Sequence, residues 1–341
     1  LGVLIEYALL ANSSLVRTVW PMTVVAFNYR RNSAARFEYC GYSQPNSRTS
    51  ETDVLSHLYD AQPCAAGNVC IFGYGPELER RASDYEGLPT LPIQFRADEL
   101  GAAHWELLMK PPTPQAEYMD VIRDIIQELY YQNRLSYKSL EKHILDDDRL
   151  TDSQRKRAMN RLSFASRWIV DDRAYEWADV LKEGTLNVFD LRMQTLESDE
   201  ALKLCLVITD LVRRTRNFVN KLIVFDSKQL VGELENALTQ IRHDGLSFVL
   251  ASQFPERIPE NILRFFDTRF IFKLPTEKAI TYLKKSAPNL KSLSQKQVAN
   301  LGLEKGTCFV QSDNDCTDRD LRMPQLLEIR PRCSHHGGAT I

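Results

Sequence analysis

Three features of this chain predict an α/β fold, a mainly parallel sheet flanked by helices with an α-helical insertion. Between Lys221 and Leu274 the sequence reads strand, helix, strand, short helix, strand. The first two strands, Leu222-Ile-Val-Phe225 and Phe248-Val-Leu-Ala251, are unbroken apolar runs, as strands buried on both faces read. They close on an acid, Asp226, and an amide, Gln253. Ligands of open parallel sheets bind beyond the carboxyl ends of the strands, so these two side chains stand where a nucleotide-hydrolysing core needs them.

The elements follow in order. Leu1 to Leu10 is apolar nearly all round, which suits a buried helix already under way, with no initiator Met before it. Met22 to Phe27 is a buried strand ending on Asn28, Ser43 to Ser50 a polar loop around Pro45, and Val69 to Phe72 a short strand before Gly73-Tyr-Gly75. Residues 1–97 form the first part of the core. From Asp98 the pattern turns helical. Asp98 caps Glu99 to Lys110, and Pro111, Pro112 and Pro114 break that helix. Gln115 to Gln132 is amphipathic, with Tyr118, Val121, Ile122, Ile125 and Leu129 at helical spacing. Ser136 caps the next helix, and Thr151 with Gln154 makes a capping box for one running to Val170. Residues 98–182 therefore read as the α-helical insertion or subdomain.

Residues 183–330 read as the second part of the core. Gly184 to Leu191 is a strand and 199–219 a long helix; after the strand series come helices near 276–286 and 294–301. Gly306 to Gln311 and Leu326 to Arg330 are closing strands, and 331–341 a mobile tail. No internal repeat is present, and the alternation of strands with helices argues a mainly parallel sheet.

Bulk composition narrows the class. With 341 residues, 43% of them hydrophobic and 26% charged, the chain has the material for a sizeable core and one or two domains. A formal net charge of −2 does not advertise nucleic acid, although a local basic groove is compatible with it. Apolar runs are strand-sized, short of the roughly 18 residues of a membrane span, and no secretory signal is evident. The expectation is a cytoplasmic protein with no membrane partner. Seven cysteines, at 40, 64, 70, 205, 308, 316 and 333, form no CxxC pair and read as free thiols.

Asp226 fits the acid that holds the Mg²⁺ shell at nucleotide phosphates; its competing reading is a strand-ending Asp that caps the next helix. Gln253 fits an amide that holds an attacking water or senses a γ-phosphate; otherwise it simply closes a strand. Arg242, three residues before Gly245, fits an arginine that reaches a nucleotide on a neighbouring subunit; otherwise it is a surface residue favoured by a helix dipole. Two basic clusters, Arg155-Lys-Arg157 with Arg161 and Arg213-Arg-Thr-Arg216, read as DNA-phosphate contacts or, more ordinarily, as solvated faces and ion-pair partners. His335 and His336 sit in the tail, and His57, His104, His143 and His243 show no pairing at metal spacing.

Residues 184–330 resemble the HerA/FtsK superfamily of hexameric DNA-translocating ATPases, HerA most closely. Leu222-Ile-Val-Phe-Asp226, Arg242-His-Asp-Gly245, Leu250-Ala-Ser-Gln253-Phe-Pro255, Ile258-Pro-Glu-Asn-Ile-Leu263, Asp267-Thr-Arg-Phe-Ile-Phe272 and Leu303-Glu-Lys-Gly306 with its following strand carry the likeness. The resemblance implies a RecA-like core, with Asp226 as the Walker B aspartate, Gln253 beside the γ-phosphate and Arg242 acting in trans. It implies ATP and Mg²⁺ as cofactors, with Asp226 the metal-holding residue. It also implies a homo-oligomeric, hexameric ring on double-stranded DNA, working with a nuclease or another effector in DNA end processing or phage defence.

The chain departs from that pattern. It contains no G-x-x-x-x-G-K-[ST], and Ser227 stands where the family has a catalytic Glu. The segment from Asp226 to Leu230 is short, and the β-barrel that HerA proteins carry ahead of the P-loop is missing. Either the protein is a degenerate, non-hydrolysing relative, or the sequence lacks the segments that carry the P-loop and the acidic loop; the opening at Leu1, inside a helix, favours the second. The rival functions are a nucleotide-binding ring scaffold without turnover, which Ser227 favours, and an ATPase of conjugation or type IV secretion.

Overall fold

In β1 (Thr23–Asn28) successive side chains point to opposite sides, and both sides are buried: Val24 and Ala26 on one, Val25 and Phe27 on the other. The same holds for β2 (Asn68–Gly73), β6 (Thr185–Asp190) and β7 (Lys221–Asp226). Strands this apolar on both faces must lie inside a sheet covered on both sides. The computed structural model describes residues 1–10, 20–29, 38–85, 87–110, 118–193, 195–217, 219–226, 246–274, 276–301, 306–313 and 321–336. In it these strands, with β3 (Thr90–Pro92) and β8 (Leu246–Ala251), form a six-stranded, wholly parallel sheet in the order β3-β2-β6-β1-β7-β8. The predicted fold class, a mainly parallel sheet flanked by helices, is therefore present.

One face is covered by α1 (Gly2–Leu9), through Ile5, Ala8 and Leu9, and by Tyr39, Tyr42 and Tyr85. Two further helices of this half are α2 (Thr49–Tyr59) and α3 (Leu78–Asp84). The other face carries the main core. Its apolar side chains run continuously into α4 (Ala102–Met109), α5 (Tyr118–Tyr131), α6 (Tyr137–Asp146), α7 (Asp152–Ala165) and the long α9 (Ser198–Arg214). Between α7 and α9 lies the single turn α8 (Trp177–Val180). A two-residue parallel pair, β4 (Phe95–Arg96) with β5 (Ile169–Val170), joins the two ends of the helical block.

Polar contacts seat that block on α9. His104 Nε2 and an Asp210 carboxylate oxygen are 2.8 Å apart, Arg161 pairs with Glu200 at 3.1 Å, and the fully buried Lys203 donates to the Lys110 carbonyl at 2.6 Å. The predicted caps at Ser136 and Thr151 form: Ser136 Oγ accepts from the Ser139 N–H, and Thr151 and Gln154 cap each other reciprocally.

The structure corrects several expectations. Asp98 does not cap a helix over 99–110; it pairs with Arg96 at 3.2 Å, and α4 begins after Gly101. The helix from Thr151 stops at Ala165, because Ile169 and Val170 are drawn into pairing with Phe95 and Arg96. The long helix ends at Arg214 rather than 219.

The strand expected to follow Gln253 in the parallel core, and the two closing strands, leave it. After the single turn α10 (Glu260–Leu263), β9 (Thr268–Ile271), β10 (Thr307–Ser312) and β11 (Gln325–Glu328) form a separate antiparallel sheet in the order β11-β10-β9. Thr268, Gln325 and Glu328 are exposed, and an antiparallel sheet tolerates a wet face where a central parallel strand does not. Helices α11 (Glu277–Ser286) and α12 (Gln295–Asn300) connect β9 to β10.

The tail expected to be mobile is held as far as His336. Glu6, fully buried in α1, accepts from the Ser334 N–H at 2.8 Å and from the Cys333 N–H at 3.2 Å, and pairs with Arg330 at 2.7 Å. Burying a carboxylate demands such partners, and the tail supplies them. His336 pairs with Glu51 at 3.0 Å, and the His335 ring lies 3.3 Å from Ser47 Oγ. Among the described residues, no helix is long and apolar enough to cross a membrane.

Candidate functional site at the carboxyl edge of the sheet

An aromatic ladder lies one residue below the carboxyl edge and fixes its height. Phe72 stacks on Phe189 with ring centroids 4.6 Å apart, Phe189 meets Phe27 at 5.7 Å, and Phe27 stacks on Phe225 at 5.1 Å. Phe225 in turn faces Phe248 at 6.3 Å. Rings this close and offset add attraction beyond their buried area, so the central strands are locked in register. The residues that follow Phe189, Phe27 and Phe225 are Asp190, Asn28 and Asp226, a polar row at the ends of β6, β1 and β7.

Asp226 closes β7 and pairs in register with Ala251 of β8. Gln253 follows two residues later, exposed, just ahead of a single helical turn at Pro255–Arg257. Its neighbours are fixed: the Phe254 N–H donates to Ser252 Oγ at 3.1 Å, and the Arg257 guanidinium lies 4.9 Å from the Phe254 ring centre. Asp226 thus ends β7, whereas the adjacent β8 stops at Ala251 and Gln253, expected to end it, lies two residues beyond. Arg242, the third predicted site residue, lies outside the described residues, as does Ser227.

Sequence reasoning missed the best-ordered group on this edge. Asp190 is buried and gathers four side chains. Arg192 grips it through Nε at 2.9 Å and Nη2 at 2.6 Å, and the Tyr85 hydroxyl donates at 2.8 Å. Asn28 Nδ2 donates at 3.3 Å, and Arg81 Nε stands 3.6 Å away. Arg81 also reaches Glu77, Asp84 and the Arg192 carbonyl. Burial, then the adjacent Asp190 charge, raises the Tyr85 phenol well above its ordinary range, so it stays a donor. A two-toothed arginine grip and a full set of donors are what an ionised carboxylate needs away from water. A signal was available: Asp190 ends an apolar strand in the same manner as Asp226, with Arg192 two residues on.

With its oxygens engaged by this set, Asp190 is a supporting group. On the same edge Asp226 ends β7, and Gln253 lies just beyond β8. Elsewhere, the predicted basic clusters are mostly engaged in ion pairs. Arg155 pairs with Asp152 at 2.9 Å, Arg161 with Glu200, and Arg213 and Arg214 both with Asp210 at 2.6 Å. Lys156 and Arg157 differ, being exposed on α7 without an ion pair to any described residue.

No family model matches the chain, and no curated protein matches it. Solved structures do. VirB4 of Thermoanaerobacter pseudethanolicus is similar at 12% identity over 91% of this chain and 89% of that chain, with a TM-score of 0.47. A bacterial conjugative coupling protein, TrwBdeltaN70 in complex with sulphate, is similar at 13% identity over 98% and 92%, with a TM-score of 0.46. The genome packaging NTPase B204 from Sulfolobus turreted icosahedral virus 2, in complex with AMP, is similar at 16% identity over 41% and 69%, with a TM-score of 0.30. At these scores the chain paths superpose only in part, and the chemistry rests on the residues of the edge itself.

Proposed function

We propose that this chain is an ATPase motor subunit of the HerA/FtsK kind, acting as a hexameric ring on duplex DNA together with a nuclease or other effector. One observation carries the reading: an acid, Asp226, ends β7, and an amide, Gln253, lies two residues past the neighbouring parallel strand β8, on an edge levelled by the Phe72-Phe189-Phe27-Phe225 ladder.

On this reading the residues would serve the metal side of a Mg²⁺–ATP complex. Asp226 would hold the ion's shell, and Asp190, saturated by Arg192, Tyr85 and Asn28, does not compete for it. Bound Mg²⁺ supplies charge neutralisation at the phosphate oxygens. Gln253 would orient a water toward the terminal phosphate, and Arg242 of a neighbouring subunit would neutralise developing charge. The sequence holds no phosphate cradle of the Walker type, so the fit extends to the metal and terminal phosphate only. Duplex DNA as the track agrees with Lys156 and Arg157, exposed on α7 and free to meet phosphates.

A second reading, a ring that binds nucleotide without turnover and scaffolds an effector, is favoured by Ser227, which follows Asp226 directly. ATP hydrolysis by the full-length protein, with and without duplex DNA and alongside Arg242→Ala, separates them. DNA-stimulated turnover lost in the variant supports the motor. An intact ring with bound nucleotide and no turnover supports the scaffold.

A further inference from the structure

Two thiols far apart in the sequence meet where the C-terminal segment crosses the loop leading into β2. Cys64 lies half-buried between α2 and β2, and Cys333 is fully buried. The Cys64 backbone N–H donates to the Cys333 carbonyl at 3.1 Å, and the two side chains are hydrogen-bonded to each other. Leu55 and Ala61 pack with Cys333 in a small apolar cluster that Cys64 and Tyr59 join.

Cys333 is held in place from three directions. Its N–H donates to Glu6 Oε2 at 3.2 Å, its carbonyl also accepts from the Asn46 N–H at 2.7 Å, and Arg330 Nη1 lies 3.6 Å from its sulfur. These bonds hold the two segments that carry the thiols side by side. Asymmetry follows from the shared hydrogen bond. Receiving that bond brings the Cys64 thiol down to about 7, against burial and the Glu6 charge. Donating it, together with burial, raises Cys333. The half-exposed Cys64 is thus the member placed to attack first, and the buried Cys333 its proton-bearing neighbour. Three other described thiols shift the opposite way to Cys64: burial raises Cys70 to about 11, and it raises Cys205 and Cys308 as well.

We propose that Cys64 and Cys333 are a redox-active dithiol, a modification site at which a small-molecule disulfide of the glutathione type installs a reversible Cys64–Cys333 bond. The Cys64 thiolate attacks one sulfur of glutathione disulfide, forming a mixed disulfide and expelling one glutathione thiolate. Cys333 then gives up its proton, and its sulfur attacks the Cys64 sulfur and expels the second glutathione thiolate. Two protein thiols are oxidised to one disulfide. The glutathione disulfide is reduced to two thiols, which take up the protons from Cys64 and Cys333. The bond fastens the C-terminal segment, with its Glu6 and Asn46 contacts, to the loop before β2. Because it closes a very long loop, it restricts the unfolded chain strongly.

The test treats the full chain with glutathione disulfide, blocks remaining thiols with iodoacetamide, and maps peptides with and without reducing agent. The expected product is a Cys64–Cys333 linked peptide that dithiothreitol releases. Oxidised protein should melt at a higher temperature than reduced protein. In Cys64→Ser the link and the temperature shift are both lost, and Cys333→Ser keeps a glutathione adduct on Cys64. Alkylation of both thiols without a link, or a stable glutathione adduct on Cys64 in the unaltered chain, would overturn the proposal. Both of these outcomes are read on the unaltered chain, so they decide the question even where a variant folds poorly.

Discussion

Asn28 Nδ2 donates a hydrogen bond to Asp190 Oδ1 at 3.3 Å, between two residues that the backbone register places side by side at the ends of β1 and β6. That bond ties the middle of the polar row to its best-anchored member. Replacing Asp190 with Ala removes the carboxylate that Arg192 grips and takes away the acceptor of the Tyr85 hydroxyl proton. The expected loss of stability is about 3–5 kcal/mol in urea denaturation, the cost of stranding a buried charge. Asp190→Asn, which keeps an acceptor, should lose less. A loss below about 1 kcal/mol for the Ala variant would show that water replaces the carboxylate.

If Arg242 acts across a subunit boundary, Arg242→Ala and Asp226→Asn subunits should each be inactive alone. Arg242→Ala should lower turnover by about 10³-fold or more. Mixed rings should recover part of the ATPase activity, because some interfaces then join an intact Asp226 to an intact Arg242. Equal inactivity of the mixed and separate preparations, with mixing verified by mass, would place both residues in one subunit's site.

Asp210 links the helical block to the core through His104, Arg213 and Arg214. Burial raises its pKa, but the hydrogen bonds from His104 and Arg213 prevail and bring it from 3.8 to about 2. A depressed carboxylate stabilises the fold above its unfolded value and loses that contribution as pH falls through the folded one. Asp210→Asn should therefore melt below the unaltered chain at neutral pH, and the gap should close as pH falls from 3.8 to about 2. A gap constant through that window would mean that shape, and not charge, sets the role of Asp210.

Lys156 and Arg157 test the DNA reading away from the nucleotide. Each phosphate contact removed should weaken duplex binding alike across sequences and reduce the slope of log K against log salt by about 1. Binding titrations of Lys156→Ala and Arg157→Ala at several salt concentrations measure this. Slopes unchanged in both would take α7 off the DNA path.

The parts of this protein legible in the sequence are those whose cause is local. Ser136 and the Thr151–Gln154 pair announced their helix starts, because a cap is a bond between residues three apart. The apolar runs of β1, β6 and β7 announced buried strands, and Asp226 and Gln253 stood out because each ends such a run. Asp98 misled for the converse reason: its local pattern offered a cap, but Arg96 claimed the carboxylate.

By itself, then, the sequence determined the class of fold, the parallel strands and the acid and amide at their ends, since periodicity and strand-end chemistry are written in consecutive residues. Only the tertiary structure decided that β1 lies between β6 and β7, which is what brings Asn28 to Asp190. Only it sent β9, β10 and β11 into their own antiparallel sheet, and brought Ser334 back across 328 positions to satisfy the carboxylate of Glu6. Strand order and the partners of a buried charge are settled by competition among many distant groups for burial and hydrogen bonds, and that competition is resolved only when the whole core closes.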